Sequence, residues 1–265
     1  MSKKRSEYYL KSLNKAMQIL NALAQENDEL GVTELSRKVG WHKSTVHRIL
    51  VTLEDERLVA QDKVTQKYRL GIKLFELGSL VQEQVEIRKF ALPVMKRLAQ
   101  ETEESVDLNI ISSGKRVSIE KIESTHDIRR IIQLGQRLPL NCGGSGKALL
   151  AFLPEEEIDK ILQQERLIPF TSHTITDPFK LKEHLQEIKK IGYATSFEER
   201  IPGSASIAAP IFDFKGKVVA SLSISGPISR FTQEKLPRLI ALVKDTARDI
   251  SFSLGAQENL SGKIF

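Results

Sequence analysis

Cysteine is almost absent from this 265-residue chain, with Cys142 the single one. One thiol excludes an internal disulfide framework and any cysteine-based zinc cluster. A metal site would have to come from the five histidines and the carboxylates, and neither a structural metal nor a cofactor is expected. No stretch approaches the roughly 18 consecutive apolar residues that a membrane helix requires. The start, Met1 to Leu10 with Lys3, Lys4 and Arg5, lacks the apolar run of a signal peptide. A cytoplasmic location without a membrane partner is therefore the expectation. Disorder is excluded in turn, because 40% apolar and 28% charged residues over this length supply a sizeable core, most naturally divided between two domains.

The formal charge is +6, and its placement says more than its size. Residues 1–70 hold 13 Lys and Arg against 9 Asp and Glu, whereas all the rest hold 27 against 25. The basic excess thus gathers at the N-terminus, a weak pointer to nucleic acid that an ordinary solvated surface also matches.

Leu13, Ala16, Met17, Leu20 and Leu23 recur at helical spacing, which predicts an amphipathic helix over about 9–26. The stretch Val32 to Gly40 reads as a short helix stopped by its glycine. Lys43 to Glu56 follows as a second helix, with Val46, Ile49, Leu50 and Leu53 on one face and Lys43, Ser44, Thr45, His47, Arg48 and Thr52 on another. Residues 58–70 alternate around a polar turn, as a short hairpin does. Residues 71–101 read as one long helix or two joined near Pro93. From residue 105 the period becomes two: Val106 to Ile110, Val117 to Ile122 and Ile131 to Leu134 read as strands. Helices are predicted over 145–164, broken at Pro154, and over 177–192. A hairpin follows over 206–225 with its turn at Phe214 to Lys217, then a last helix over about 232–255. Mixed hairpins and helices indicate an α+β domain with an antiparallel sheet.

A recognition helix enters the major groove only if its outward N-terminal residues are short or basic. Lys43, Ser44, Thr45, His47 and Arg48 meet that condition, and the acidic run Glu54 to Glu56 lies at the far end. A plain soluble helix can show the same asymmetry. The added cations Lys63, Lys67 and Arg69 on the hairpin, where a wing would touch the backbone, favour DNA. Thr33 and Thr52 join the candidate contacts.

Several catalytic patterns fail. Gly143 to Lys147 resembles a phosphate loop, but Asn141 stands where glycine is required and Ala148 where Ser or Thr is required. A nucleophile elbow centred on Ser145 would need glycine at Lys147. His42 and His47 fall in the helical unit, while His126, His173 and His184 read as surface residues. Glu198 and Glu199 are adjacent, so on a strand they face opposite sides and read as a solvated strand end. More suggestive are Gly144 and Ser145 at a helix start, whose amides favour an anion, with Ser204 and Ser206 sharing one strand face and Ser223 and Ser225 another. Four hydroxyls facing one cavity would suit a small polar or carboxylated ligand, and serines decorating a solvent-facing sheet fit the spacing equally.

The runs LGVTELSRKVGWHKSTVHRILVTLEDERLVAQ, KYRLGIKLFELG, LPLNCGGSGKALLAFL and SIAAPIFDFKGKVVASLSISGPISRF, in this order and spacing, resemble the IclR family of bacterial transcriptional regulators. The resemblance spans about residues 10–255. It implies a winged helix-turn-helix, a linker helix and a C-terminal effector-binding domain with a GAF-like or profilin-like antiparallel sheet. It also implies dimers, often paired into tetramers, on palindromic double-stranded operators. The family's recognition motif falls on Lys43, Ser44, Thr45, His47 and Arg48, and its effector pocket on Gly144, Ser145, Ser196, Ser204, Ser206, Ser223 and Ser225. The common pattern has an acidic residue at Ser196 and a cysteine at Ser206, departures that bear on which ligand is taken. ELSRKVGWHKSTVHRIL with KLFELG is most similar to members governing 2-keto-3-deoxygluconate and related sugar-acid catabolism.

The expected organisation is a winged helix-turn-helix over 1–70, a linker helix over 71–88, an effector domain over 89–255 and a frayed tail over 256–265. The expected function is a ligand-responsive DNA-binding regulator of a catabolic operon, sensing a sugar acid or aromatic acid and catalysing nothing. The competing readings are a metabolic enzyme, or a ligand-binding module whose basic N-terminal domain serves assembly.

Overall fold

A computed structural model describes residues 10–256 apart from 26–27, 85, 132 and 165–166, so nearly all of the tail expected to fray lies outside the described residues. The chain divides into two compact units between Gln84 and Val85.

In the first unit, α1 (Lys11–Ala24), α2 (Val32–Val39) and α3 (Lys43–Asp55) are followed by β1 (Val59–Gln61), β2 (Tyr68–Leu70) and α4 (Ile72–Gln84). Helix α2 begins where the Glu34 carboxylate accepts the Gly31 N–H at 2.7 Å, satisfying a donor that no helical carbonyl can reach. It ends at Gly40, whose φ of +74° is open to glycine without strain. Ile19 and Leu23 of α1, Leu35 of α2, and Val46, Leu50 and Leu53 of α3 then meet Val59 and Tyr68 of the hairpin in one core. At the hairpin tip Asp62 Oδ1 accepts the N–H groups of Val64 and Thr65 at 2.8 and 2.7 Å. Leu30 adds a bridge that the sequence pattern does not reveal: it exchanges two backbone hydrogen bonds with Tyr68, at 3.0 and 2.8 Å.

The second unit opens with α5 (Glu86–Thr102). A junction near Pro93 is one expectation, but α5 runs through that proline: α4 ends at Gln84 and α5 begins at Glu86. Ala91, Met95 and Leu98 are buried on either side of Pro93, and this packing outweighs the one lost backbone hydrogen bond. The remaining elements are β3 (Ser105–Ser112), β4 (Lys115–Ile122), β5 (Arg137–Leu138), α6 (Gly144–Leu150), α7 (Glu155–Gln164), α8 (Pro178–Ile191), β6 (Ala194–Phe197), β7 (Ser204–Phe212), β8 (Val218–Pro227) and α9 (Leu236–Ser253). The strand expected at 131–134 does not form: Ile131 and Leu134 are exposed, a turn at Gly135 (φ +74°) follows, and pairing begins only at Arg137. Ile132 lies outside the described residues.

The six strands form one antiparallel sheet in the order β5-β4-β3-β8-β7-β6. Alternation gives it two unlike faces. Val106, Leu108, Ala205, Ile207, Ala209, Ile211, Ala220, Leu222 and Ile224 turn to α5 and α9, where Met95, Leu98, Leu239, Val243 and Ile250 complete the main core. The other face carries Asp107, Asn109, Ser206, Ala208, Ser221, Ser223 and Ser225. Only its Ala194 and Ala208 end packs on the apolar residues of α6 and α8.

Leu50→Ala should destabilise the N-terminal unit by about 2–5 kcal/mol, the range for emptying a fully buried leucine site. Urea unfolding followed by the fluorescence of Trp41, the chain's single tryptophan, reads that unit directly. A shift below about 1 kcal/mol would remove α3 from the core.

Candidate functional site

On α3 the buried stripe Val46, Leu50 and Leu53 fixes which side chains face water. Lys43, Ser44, His47, Arg48 and Thr52 are exposed and Thr45 is half-buried. Lys43, Ser44 and Thr45 occupy the first turn, which holds no acidic residue and so leaves the positive helix end unopposed. Thr52 returns its hydroxyl to the Arg48 carbonyl at 3.2 Å, and Thr33 is half-buried in the first turn of α2. Lys63 stands exposed at the wing tip, whereas Lys67 faces Glu34 at 3.9 Å and Arg69 faces Glu29 at 3.5 Å. These wing cations are therefore partly neutralised within the unit, through contacts that no local spacing reveals. Arg37 and Lys38, exposed in the last turn of α2, add charge that the sequence pattern did not single out.

The polar face of the sheet forms one wall of a cleft that is open to solvent on one side. Pairing aligns Ser196 of β6 with Ser206 of β7 and Ser225 of β8, while Ser223 lies opposite Asp107 of β3. Ser145, Ser196, Ser204, Ser206, Ser223 and Ser225 all line this cleft. Gly144 adjoins it: its N–H donates to Ser206 Oγ at 3.1 Å, and a Cβ there would come within 3.0 Å of the same oxygen. The anion-seeking helix start is less available than its sequence implies. The Gly144 amide is taken by Ser206 and the Gly143 amide by Glu199 Oε2 at 3.0 Å. Ser204, too, uses its hydroxyl locally, donating to the Ile201 carbonyl at 2.7 Å.

Residues that serine spacing cannot find give the cleft its charge. Arg116, 8% exposed, donates through Nη1 to Ser145 Oγ and to Asn109 Oδ1 at 3.3 Å, and its Nη1 lies 3.7 Å from Asp107 Oδ2. Asp107 also accepts the Ser223 hydroxyl on Oδ1 and Asn109 Nδ2, at 2.7 Å, on Oδ2. Burial pushes the Arg116 guanidinium below its ordinary value and Asp107 opposes the shift, so arginine's high intrinsic basicity keeps it charged. Arg130, Arg200, Gln133, Gln136 and Ser118 complete the polar lining, with Leu138 and Ala205 its apolar side chains.

Comparison with known proteins fits both units. The model for the IclR helix-turn-helix domain matches residues 12–63, and that for the C-terminal domain of the bacterial transcriptional regulator IclR matches residues 79–252. The chain belongs to the IclR family. It is 38% identical to the HTH-type transcriptional regulator KipR of Bacillus subtilis over 245 residues, which is 92% of this chain and 97% of that one. It is equally 38% identical to KdgR of Escherichia coli over 244 residues, 92% of each. The crystal structure of Thermotoga maritima IclR superposes with a TM-score of 0.76 at 35% identity, covering 93% of this chain and all of that one. This IclR-family chain is accordingly a transcription regulator with an α+β fold and not an enzyme. Among the described residues no helix is long and apolar enough to cross a membrane, and no three His, Cys, Asp or Glu side chains are placed to hold a metal ion.

Behind the cleft, the IclR-family fold here buries a second charged cluster, and it overturns two expectations. Glu199 is no solvated strand end: its Oε1 pairs with Lys147, which is 0% exposed, while its Oε2 holds the Gly143 amide. Lys147 Nζ also donates to the Thr195 carbonyl at 2.9 Å and to His184 Nε2 at 3.0 Å. His184 is thus half-buried against a cation and not a free surface residue. Burial and the neighbouring Lys147 hold its imidazole below the ordinary value, favouring the neutral ring whose Nε2 accepts the hydrogen bond from Lys147. The lysine that stands where a nucleophile elbow needs glycine is a buried structural cation.

Burial pushes the Cys142 thiol up to about 11. Native protein at pH 8 should therefore react with a thiol-specific disulfide reagent about 100-fold more slowly than urea-unfolded protein, since the thiolate is the nucleophile. Native and unfolded rates within about tenfold would contradict that burial.

Proposed function

We propose that this regulator reads a palindromic operator with the outward face of α3 and responds to a small hydroxylated organic acid held in the C-terminal cleft. Lys43, Ser44, Thr45, His47 and Arg48 are assigned to the major groove, with Thr33, Thr52, Lys63, Lys67 and Arg69 supporting at the flanks and backbone. Gly144, Ser145, Ser196, Ser204, Ser206, Ser223 and Ser225 are assigned to the effector, joined by Arg116 and Asn109. The carrying observation is the gathering of seven serine hydroxyls and a buried guanidinium around one cleft whose apolar side chains, among the described residues, are only Leu138 and Ala205. With no ring in its lining among the described residues, the cleft favours a sugar acid over an aromatic acid. The sugar-acid resemblance of the N-terminal runs points the same way.

In this reading the protein works in the cytoplasm as a dimer, or as a tetramer formed by two paired dimers, with residues 71–88 as its linker. Two recognition helices occupy successive major grooves about 34 Å apart, and the acid changes operator affinity by favouring one arrangement. Such coupling is typically about 1–3 kcal/mol.

Arg48→Ala should weaken binding to the DNA upstream of the protein's own gene about 10- to 100-fold while leaving acid binding intact. Fluorescence anisotropy over a salt series, against a scrambled duplex, measures this. Unchanged operator affinity would remove Arg48 from the interface. Ser223→Ala, which deletes the hydroxyl on Asp107, should weaken acid binding about 3- to 10-fold with operator affinity unchanged when no acid is present. Normal affinity in a calorimetric titration of the full chain would take Ser223 out of the site.

A further inference from the structure

We propose that the cleft is built for a hydroxylated ligand carrying two anionic groups, a dianion and not a simple monocarboxylate. The inference rests on the effector reading of the cleft and adds to it the charge of the effector. The charged side chains of the lining are Asp107, Arg116, Arg130 and Arg200. Asp107 is committed: it faces Arg116 at 3.7 Å and accepts Ser223 and Asn109 besides. That pairing balances one guanidinium and leaves two.

Several carboxylates close to those two in sequence are engaged elsewhere. Beside Arg200 in sequence, Glu199 is bound to Lys147 and Gly143, and Glu198 accepts the Gly203 amide at 2.7 Å and faces His173 at 3.9 Å. Glu104 holds Arg230, and Glu123 holds Lys121 and Arg129, the residue next to Arg130. Among the described residues neither Arg130 nor Arg200 forms an ion pair within 4 Å. Arg130 is itself partly buried and within electrostatic reach of both Asp107, which favours its charge, and Arg116, which opposes it. Three guanidinium groups against the one carboxylate of Asp107 leave the lining a net charge of +2, which two anionic groups on one ligand balance and a single carboxylate balances by half.

Two further atoms invite a ligand oxygen. Arg116 Nε and Ser118 Oγ are buried and without a hydrogen-bond partner among the described residues, and both side chains belong to the lining. A buried donor left unpaired is costly, so an acceptor on the ligand is favoured there beyond its charge alone. Gln133, Gln136 and the serine row then supply neutral partners for hydroxyl groups.

The second anionic group could be a carboxylate or a phosphate, and the test separates them. Full-length protein is titrated calorimetrically, at fixed ionic strength and pH 7.5, with glucarate and galactarate as dicarboxylates, 6-phosphogluconate as a phosphorylated acid, and gluconate and galactonate as matched monoanions. At least one dianion should bind about tenfold or more tightly than its monoanion, and the tighter class names the second group. Arg130→Gln and Arg200→Gln should each shrink that ratio to about twofold or less with thermal unfolding unchanged, while Arg200→Lys should retain most of it. Equal affinity for monoanions and dianions, or a ratio that survives both glutamine variants, overturns the dianion assignment and leaves the effector cleft standing. Failure of all five acids to bind, with operator affinity unmoved by any, overturns the effector reading together with it.

Discussion

Successive side chains of a strand point to opposite faces, so the register in which β3, β8 and β7 pair decides at once where the core lies and where the cleft lies. Leu222 is opposite Leu108 and Ala209, and Ser223 is opposite Asp107 and Ala208. A slip of one residue on β8 would carry Leu222 and Ile224 to the cleft and drive Ser223 and Ser225 into the aliphatic layer beneath α5 and α9. That exchange would expose two large apolar side chains and bury two hydroxyls without partners, each a cost of about 1–3 kcal/mol. Core burial on one face thereby enforces the placement of hydroxyls on the other, and the site's geometry follows from the packing.

The most deeply buried charges of this second unit, Lys147 and Arg116, sit in arrangements that answer themselves. Lys147 is fully buried, and a lone ammonium there could not persist charged. Glu199, the Thr195 carbonyl and His184 together meet its three donors, and Glu199 turns its second oxygen to Gly143. A buried pair of this kind contributes little net stability against an apolar substitute, so its value lies in what it fixes. It joins α6 to the segment after β6, and thus sets Gly143, Ser196 and Arg200 at the same cleft. Arg116 and Asp107 repeat the scheme nearer the opening, with the difference that Arg116 Nε stays unmet.

Both units were legible in the sequence where the signal is local and periodic. The helix-turn-helix could be read because Val46, Leu50 and Leu53 recur at helical spacing and Gly40 marks the turn. The serine pairs could be placed on one face because a strand's period is two. The cleft's arginines could not, since Arg116 comes from β4 and Arg130 and Arg200 from connecting segments, and only tertiary pairing brings them to β7 and β8. Local reasoning failed where distant contacts decide. Ile131 to Leu134 has strand-like residues but no partner edge, Pro93 sits in a helix held by its neighbours' burial, and Glu199 is drawn inward by a lysine 52 positions earlier.

In the proposed reading, the two anion-binding surfaces of the molecule obey different electrostatics. Lys43 and Arg48 are exposed on α3, so their attraction for phosphates is screened by salt over about 8–10 Å and is strengthened chiefly by their number. Arg116 is buried, and its partners are fixed before any ligand arrives, so little reorganisation accompanies binding. Exposure suits the first task, because an operator must be searched for and released among many phosphates of equal charge. Enclosure suits the second, because a small acid has to be told apart from others by where its oxygens lie. A regulator needs both in one chain, and the reciprocity of linkage then requires that whatever the acid does to operator affinity, the operator does equally to the affinity for the acid.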